Sequence, residues 1–264
     1  MFAIFTELRH GFKNLFPAGK FRFVLLILSA LGAFISISEL LLLKGFVEIV
    51  TREDQFDSRE FALLGALFMA FFAVTLLAQY FQRTFRVKAF AKSFRARLKV
   101  VNKGSGSRDW AMAGEISNVI TQITKLFAVL LFLIIIDFRF ALLNIAITLM
   151  ALVVISRIFS TQLEMQERLI SQKTTFQKRV QRSHGLRVRA GESGALVAGI
   201  ATSFLLAVLL FLSYDGDISL SNTLLIFFGI RNQNGSLSNT SRSLMRYAKA
   251  KARNNQREDA EEEL

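Results

Sequence analysis

Cysteine is absent from the chain, which excludes a disulfide scaffold, a thiol nucleophile and thiolate metal sites. Proline occurs once and glycine 15 times in 264 residues, which argues against a loop-rich or all-β design. The two histidines, His10 and His184, stand far apart, which argues against a histidine metal site. No G-x-x-x-x-G-K-S/T occurs. Gly104-Ser105-Gly106-Ser107 is glycine-rich, but no lysine follows and it lies between helical stretches rather than after a strand. The chain therefore carries no nucleotide-binding motif, and no cofactor is expected on it. Nor do His, Asp and Glu cluster near a membrane interface, as an integral membrane enzyme would need. A proton-coupled transporter would want several mid-membrane carboxylates, and only Glu39 is placed for that.

What is present pulls in two directions. Lys and Arg number 33 against 20 Asp and Glu, a net charge of +13, yet 52% of the residues are hydrophobic and 27 are Phe. The mean hydropathy is +0.41. A nucleic-acid binder would not carry this apolar mass. A membrane protein with its basic residues in loops on one side would.

A spanning helix needs roughly 20 mainly apolar residues. Six stretches approach this: Phe23 to Phe46, Phe61 to Phe81, Val119 to Ile136, Phe140 to Ile155, Ala195 to Leu212, and the shortest, Ile218 to Ile230. The expected fold is thus all-α, a polytopic membrane protein of six transmembrane helices. The first stretch lacks a signal-peptide cleavage site and reads as a retained span. Between the stretches, charge alternates in sign. Residues 1–22 hold four positives and one negative, residues 51–60 two and four, residues 83–109 nine and one, and residues 157–192 eight and three. Residues 213–217 are acidic, and seven positives follow residue 230 ahead of an acidic run. In all, 28 of the 33 basic residues fall on one side. The positive-inside rule then puts both termini in the cytoplasm of a multi-pass inner-membrane protein, with the bilayer as first partner.

The outer connections are short, and the inner ones are about 35 residues each and helix-forming. Phe85, Val87, Phe90, Phe94 and Leu98 fall near one helix face, so spans 2 and 4 are expected to continue as cytoplasmic arms, about 83–115 and 157–194. Residues 1–22 read as a cytoplasmic amphipathic segment, residues 23–257 as the six-helix domain, and residues 258–264 as an acidic flexible tail. The basic arm needs no nucleic acid to explain it, because topology accounts for the same charges. Asn234-Gly-Ser and Asn239-Thr-Ser match a glycosylation acceptor but lie on the expected cytoplasmic side.

Single residues carry two readings each. Glu39 and Lys44 either face a cavity or snorkel to the interface. Lys125, one or two turns inside the inner boundary of the third stretch, snorkels more readily. Asn144 lines a cavity or bonds between helices. Glu115 serves coupling or sits as an ordinary carboxylate in a first helical turn.

Order, topology and local patterns together resemble the membrane domains of ABC exporters. Trp110-Ala-Met-Ala-Gly114-Glu115-Ile116-Ser117-Asn118-Val119-Ile120 is similar to the family's opening of span 3. His184-Gly185-Leu186-Arg187-Val188-Arg189-Ala190-Gly191-Glu192 resembles its stretch before span 5. Ser36-Ile37-Ser38-Glu39-Leu40-Leu41 is similar to a pattern in some of its glycan and lipid-oligosaccharide exporters. The run Arg231 to Arg253, with Ala248, Ala250 and Ala252, looks like the continuation of span 6 toward an ATPase domain.

The resemblance implies a permease subunit that pairs with a second copy or a homologous membrane subunit. A separate ATPase subunit, carrying ATP and Mg, would dock on the arm tips and drive an amphipathic or lipid-linked substrate across. It implies coupling through Asn102, Lys103, Arg108, Asp109, Trp110, Glu115, Lys178, Arg179 and Arg182, and a cavity at Glu39 and Asn144. The chain stops where a fused ATPase would begin, and its arms are shorter than the family's. Those departures leave a second expectation open: a non-transporting membrane scaffold or regulatory subunit that keeps the exporter shape. Arg108→Glu is expected to abolish transport under the first reading and to change nothing under the second.

Overall fold

A computed structural model describes residues 6, 7, 9, 11, 12, 20–51, 58–98, 106–171 and 176–262. Among these, six long helices account for nearly every residue and no strand occurs. They are α1 (Lys20–Thr51), α2 (Ser58–Leu98), α3 (Gly106–Ile136), α4 (Phe138–Ser171), α5 (Phe176–Tyr214) and α6 (Leu220–Glu262). With 31 to 43 residues apiece, they run about 46 to 65 Å, well over the ~30 Å of a bilayer core.

The breaks have local causes. Asp137 alone separates α3 from α4. Its carboxylate accepts the Phe140 amide at 2.7 Å and its carbonyl accepts the Ala141 amide at 3.0 Å, so it caps α4. After α5, Gly216 takes φ 79°, a left-handed conformation that glycine adopts without a Cβ clash. The Asp217 amide then reaches the Leu212 carbonyl at 3.1 Å and the Gly216 amide reaches that of Ser213 at 3.3 Å, closing a Schellman end. Ser219 caps α6 through the Asn222 and Thr223 amides.

Neighbouring helices run in alternating directions. Leu133 packs by Gly229 and Asn118 bonds Ser243, so α3 opposes α6. Asn144 bonds Gln233 and Phe159 stacks on Tyr247, so α4 runs with α6. The bundle thus has a turn end, carrying Asp137 and residues 215–219, and an arm end. Helix α6 packs on α1, α3, α4 and α5, whereas α2 packs chiefly on α1. One apolar cluster, with Leu133, Phe140, Leu209 and Ile226, fills the turn half; another, with Ile116, Ile155, Phe159 and Leu244, fills the arm half.

Among the described residues, five helices are long and apolar enough to cross a membrane: Arg22–Val47, Ala62–Ala89, Trp110–Ile136, Phe138–Leu169 and Gln181–Tyr214. Only 6% of the most apolar part of α2 is buried, so its Leu, Phe and Met side chains face outward, as lipid contact requires. The chain has the build of a multi-pass membrane protein. The expected sixth span is the exception, because α6 is too polar to be counted by composition. In α3 the stretch apolar enough to cross a membrane can be counted from Trp110 to Ile136, 27 residues with Lys125 near the middle, and it contains the expected Val119 to Ile136. Counted by length and composition, the five stretches overlap the expected arms at residues 83–89, 110–115, 157–169 and 181–194.

The arm end gathers the N-terminal residues. Glu7 pairs with Lys251 at 2.6 Å, and Gly11 sits where a side chain would strike Ile116. Burial, and then the Glu7 carboxylate, hold the Tyr247 phenol above its ordinary pKa of 10.0. The folded chain keeps this proton while the unfolded chain loses it, so the contribution to stability is complete below pH 10.0 and declines as pH rises beyond it. The stability of wild type relative to Tyr247→Phe is expected to fall by up to about 1.4 kcal/mol per pH unit above that point. Denaturant midpoints of both proteins between neutral and strongly alkaline pH measure this; parallel curves would contradict it.

Candidate functional site

Helices α1, α3 and α6 leave a cleft of about 510 Å³ between them. Leu40, Leu43 and Phe228 form its apolar wall, and the remaining lining is polar. Helix α1 contributes Glu39, α3 contributes Gln122 and Lys125, and α6 contributes Arg231, Asn232 and Asn239. On α6, Asn232, Ser236 and Asn239 recur at helical spacing, which puts them on one face. Two cations meet one acid here. The Glu39 carboxylate accepts a hydrogen bond from Gln79 Nε2 at 2.6 Å. A concave site of this size with convergent amides and an excess of positive charge suits the anionic head of a small or amphipathic molecule. Among the described residues, no group of three or more His, Asp or Glu is placed to hold a metal.

The wall of α1 is fitted closely. At Gly32 a Cβ would lie 2.5 Å from Gln82 Nε2 and 3.5 Å from the Lys125 stem. Without it, Gln82 reaches the Leu28 carbonyl at 2.9 Å, and Ser29 bonds Thr121 at 3.1 Å. The glycine thus lets α2 and α3 both close on α1 beside the cleft.

Behind the cleft lies a buried polar layer between the two apolar clusters. Asn144 is fully buried and exchanges amide hydrogen bonds with Gln233 at 2.9 and 2.8 Å; Thr148 bonds both. Asn144 therefore joins α4 to α6 and does not line the cleft, whereas Glu39 does. Nearer the arm end, Glu115 pairs with Arg246 at 2.7 Å and Glu192 with Arg242 through two contacts of 3.1 Å, which tie α3 and α5 to α6. Glu115, expected at a coupling tip, makes an interhelical ion pair here.

The other expected tip residues divide. Trp110 and Arg182 are exposed. The backbone of Arg108 and Asp109 belongs to α3 and that of Lys178 and Arg179 to α5. Asn102 and Lys103 lie outside the described residues. Sequence reasoning missed Gln122, Arg231, Asn232 and Asn239. The available signal was the polar run Arg231-Asn232-Gln233-Asn234 directly after an apolar stretch, which reads as a span ending rather than as a helix turning a polar face inward.

No model of a known protein family matches the chain, and no curated protein matches it. The likeness to ABC exporters therefore rests on the sequence patterns that suggested it.

Proposed function

We propose that the chain is the membrane-spanning subunit of a transporter, and that the α1–α3–α6 cleft is part of its substrate path. The observation that carries this is the cleft itself: Lys125 and Glu39 project from two strongly apolar helices into one polar hollow. Charges within apolar helices are costly unless they face a cavity or a partner. In this reading α6 is the sixth span. It lies in register with α3 and α4, so wherever they cross the membrane its polar face turns away from lipid.

The excess of basic residues at the arm end supports an orientation with that end and both termini in the cytoplasm of an inner-membrane protein. A separate ATPase subunit docks there and supplies ATP and Mg; a second copy or a homologue completes the path. The substrate is amphipathic or lipid-linked, with an anionic head for Lys125 and Arg231.

The test begins with purification from the native membrane. A P-loop ATPase is expected to accompany the chain, and recovery only as an isolated monomer would sink the proposal. In proteoliposomes of that complex, a fluorescent anionic phospholipid is expected to cross in an ATP-dependent way. Lys125→Met together with Arg231→Met is expected to slow this about tenfold or more. Arg182→Glu is expected to uncouple ATP hydrolysis from transport. A complex that moves nothing and ignores all three changes is the scaffold instead.

A further inference from the structure

The face of α1 turned away from the cleft borders a second, larger hollow of about 1110 Å³. It runs between α1 and α2 at the turn end of the bundle and is mainly apolar, with Leu41, Leu67, Phe68 and Phe71 among its walls. We propose that this groove holds one acyl chain of a resident anionic phospholipid, with Lys44 and the start of α6 gripping the phosphate.

Three observations carry this. First, the depth matches. The groove follows α1 from Ile49 back to Leu41 and α2 from Leu64 to Val74, about 12 to 15 Å at the helical rise, which is one leaflet of a ~30 Å hydrocarbon core. Second, polarity is confined to residues that suit a headgroup. Lys44 lies three residues before the end of the Arg22–Val47 stretch, and its long stem lets the ammonium reach toward the turn end, where Ser219, Ser221 and Asn222 at the start of α6 line the same groove. An ammonium with hydroxyl and amide donors complements a phosphodiester. Third, the groove is held open at Gly45. A Cβ there would meet nothing within 4 Å, so packing within the chain does not demand the glycine. A side chain at that position would project into the space that the acyl chain takes.

The site stands apart from the transport reading and is tested without ATP. Trp110 is the only tryptophan. In a Trp110→Phe background, Phe68→Trp places a reporter in the groove wall, with Phe71→Trp as a second position should the first disturb the fold. The purified chain is put into phosphatidylcholine vesicles containing brominated phosphatidylglycerol or brominated phosphatidylcholine, and quenching is measured. The relative association constant is expected to favour phosphatidylglycerol about fivefold, the usual effect of one lysine at a membrane surface. Lys44→Gln is expected to abolish that preference while quenching persists. Gly45→Phe is expected to reduce quenching by both lipids, because the ring fills the groove. Lys125→Met with Arg231→Met should change neither. Equal quenching by the two lipids, a preference that survives Lys44→Gln, or quenching indifferent to Gly45→Phe each overturns the proposal.

Discussion

Replacing Gly194 with alanine is expected to destabilise the bundle measurably, and replacing it with leucine to force α5 away from α6. A Cβ at position 194 would lie 1.9 Å from Ser241 Oγ and 2.8 Å from Ser241 Cβ. Both are far inside van der Waals contact. Ser241 is fully buried, and its hydroxyl reaches back to the Gly191 carbonyl at 3.4 Å. It has no long flexible end to swing aside, so the helices themselves must move. Close approach through small residues is how helices associate where no water drives them together. Overpacking of this kind costs about 1 to 3 kcal/mol, and the leucine belongs at or above the upper end. Parting the helices would also lengthen the adjacent Glu192–Arg242 bridge. The check is unfolding of the purified protein in detergent. Gly194→Ala should melt below wild type, Gly194→Leu lower still, and Ser241→Gly should restore part of the loss in the alanine background. An alanine variant as stable as wild type would falsify the α5–α6 approach.

That contact was not legible in the sequence, and the reason bears on α6 as a whole. Hydropathy reports which side chains face lipid. Helices α1 to α5 each turn broad apolar surface outward, so their runs stood out, as did the break at Asp137. Helix α6 touches four others and buries Gln233, Ser236, Thr240, Ser241 and Ser243 instead. Its sequence reads as polar because what it meets is protein. The same blindness hides the polar residues with which the start of α3 packs. Glu115, Ser117, Asn118 and Thr121 look like a loop boundary by composition. In the fold Glu115 and Asn118 bond α6, and Thr121 bonds α1. These bonds carry the packed part of α3 back past Val119, and Lys125, further along the same helix, lines the cleft. Glu39 could be found because it stands alone in an apolar run. Arg231 and Asn239 could not, since nothing local distinguishes a cleft-facing helix from a cytoplasmic one. The Asn144–Gln233 pair, 89 residues apart, has no sequence signature at all.

That pair yields the other large effect, and the roles of Asn144 can be separated by it. Asn144→Leu strands the Gln233 carbonyl and removes one acceptor of its amide at a site only 2% exposed. A buried polar group left without its partner costs about 1 to 3 kcal/mol, and Gln233→Met should cost the same in reverse. The double variant is expected to recover most of this, because removing both partners leaves no amide unpaired. Thr148 can turn its hydroxyl to the carbonyl of residue 144, as threonines in helices do. The coupling in the cycle should therefore be strongly non-additive, with the double variant more stable than either single one. Under the transport proposal, the lipid-transfer assay then decides what the stability data cannot. If the pair only fastens α4 to α6, the refolded double variant moves the fluorescent lipid at nearly the wild-type rate. If its amides also meet the passing headgroup, transport stays lost although stability has returned, and the path reaches past the α1–α3–α6 cleft into the buried layer behind it.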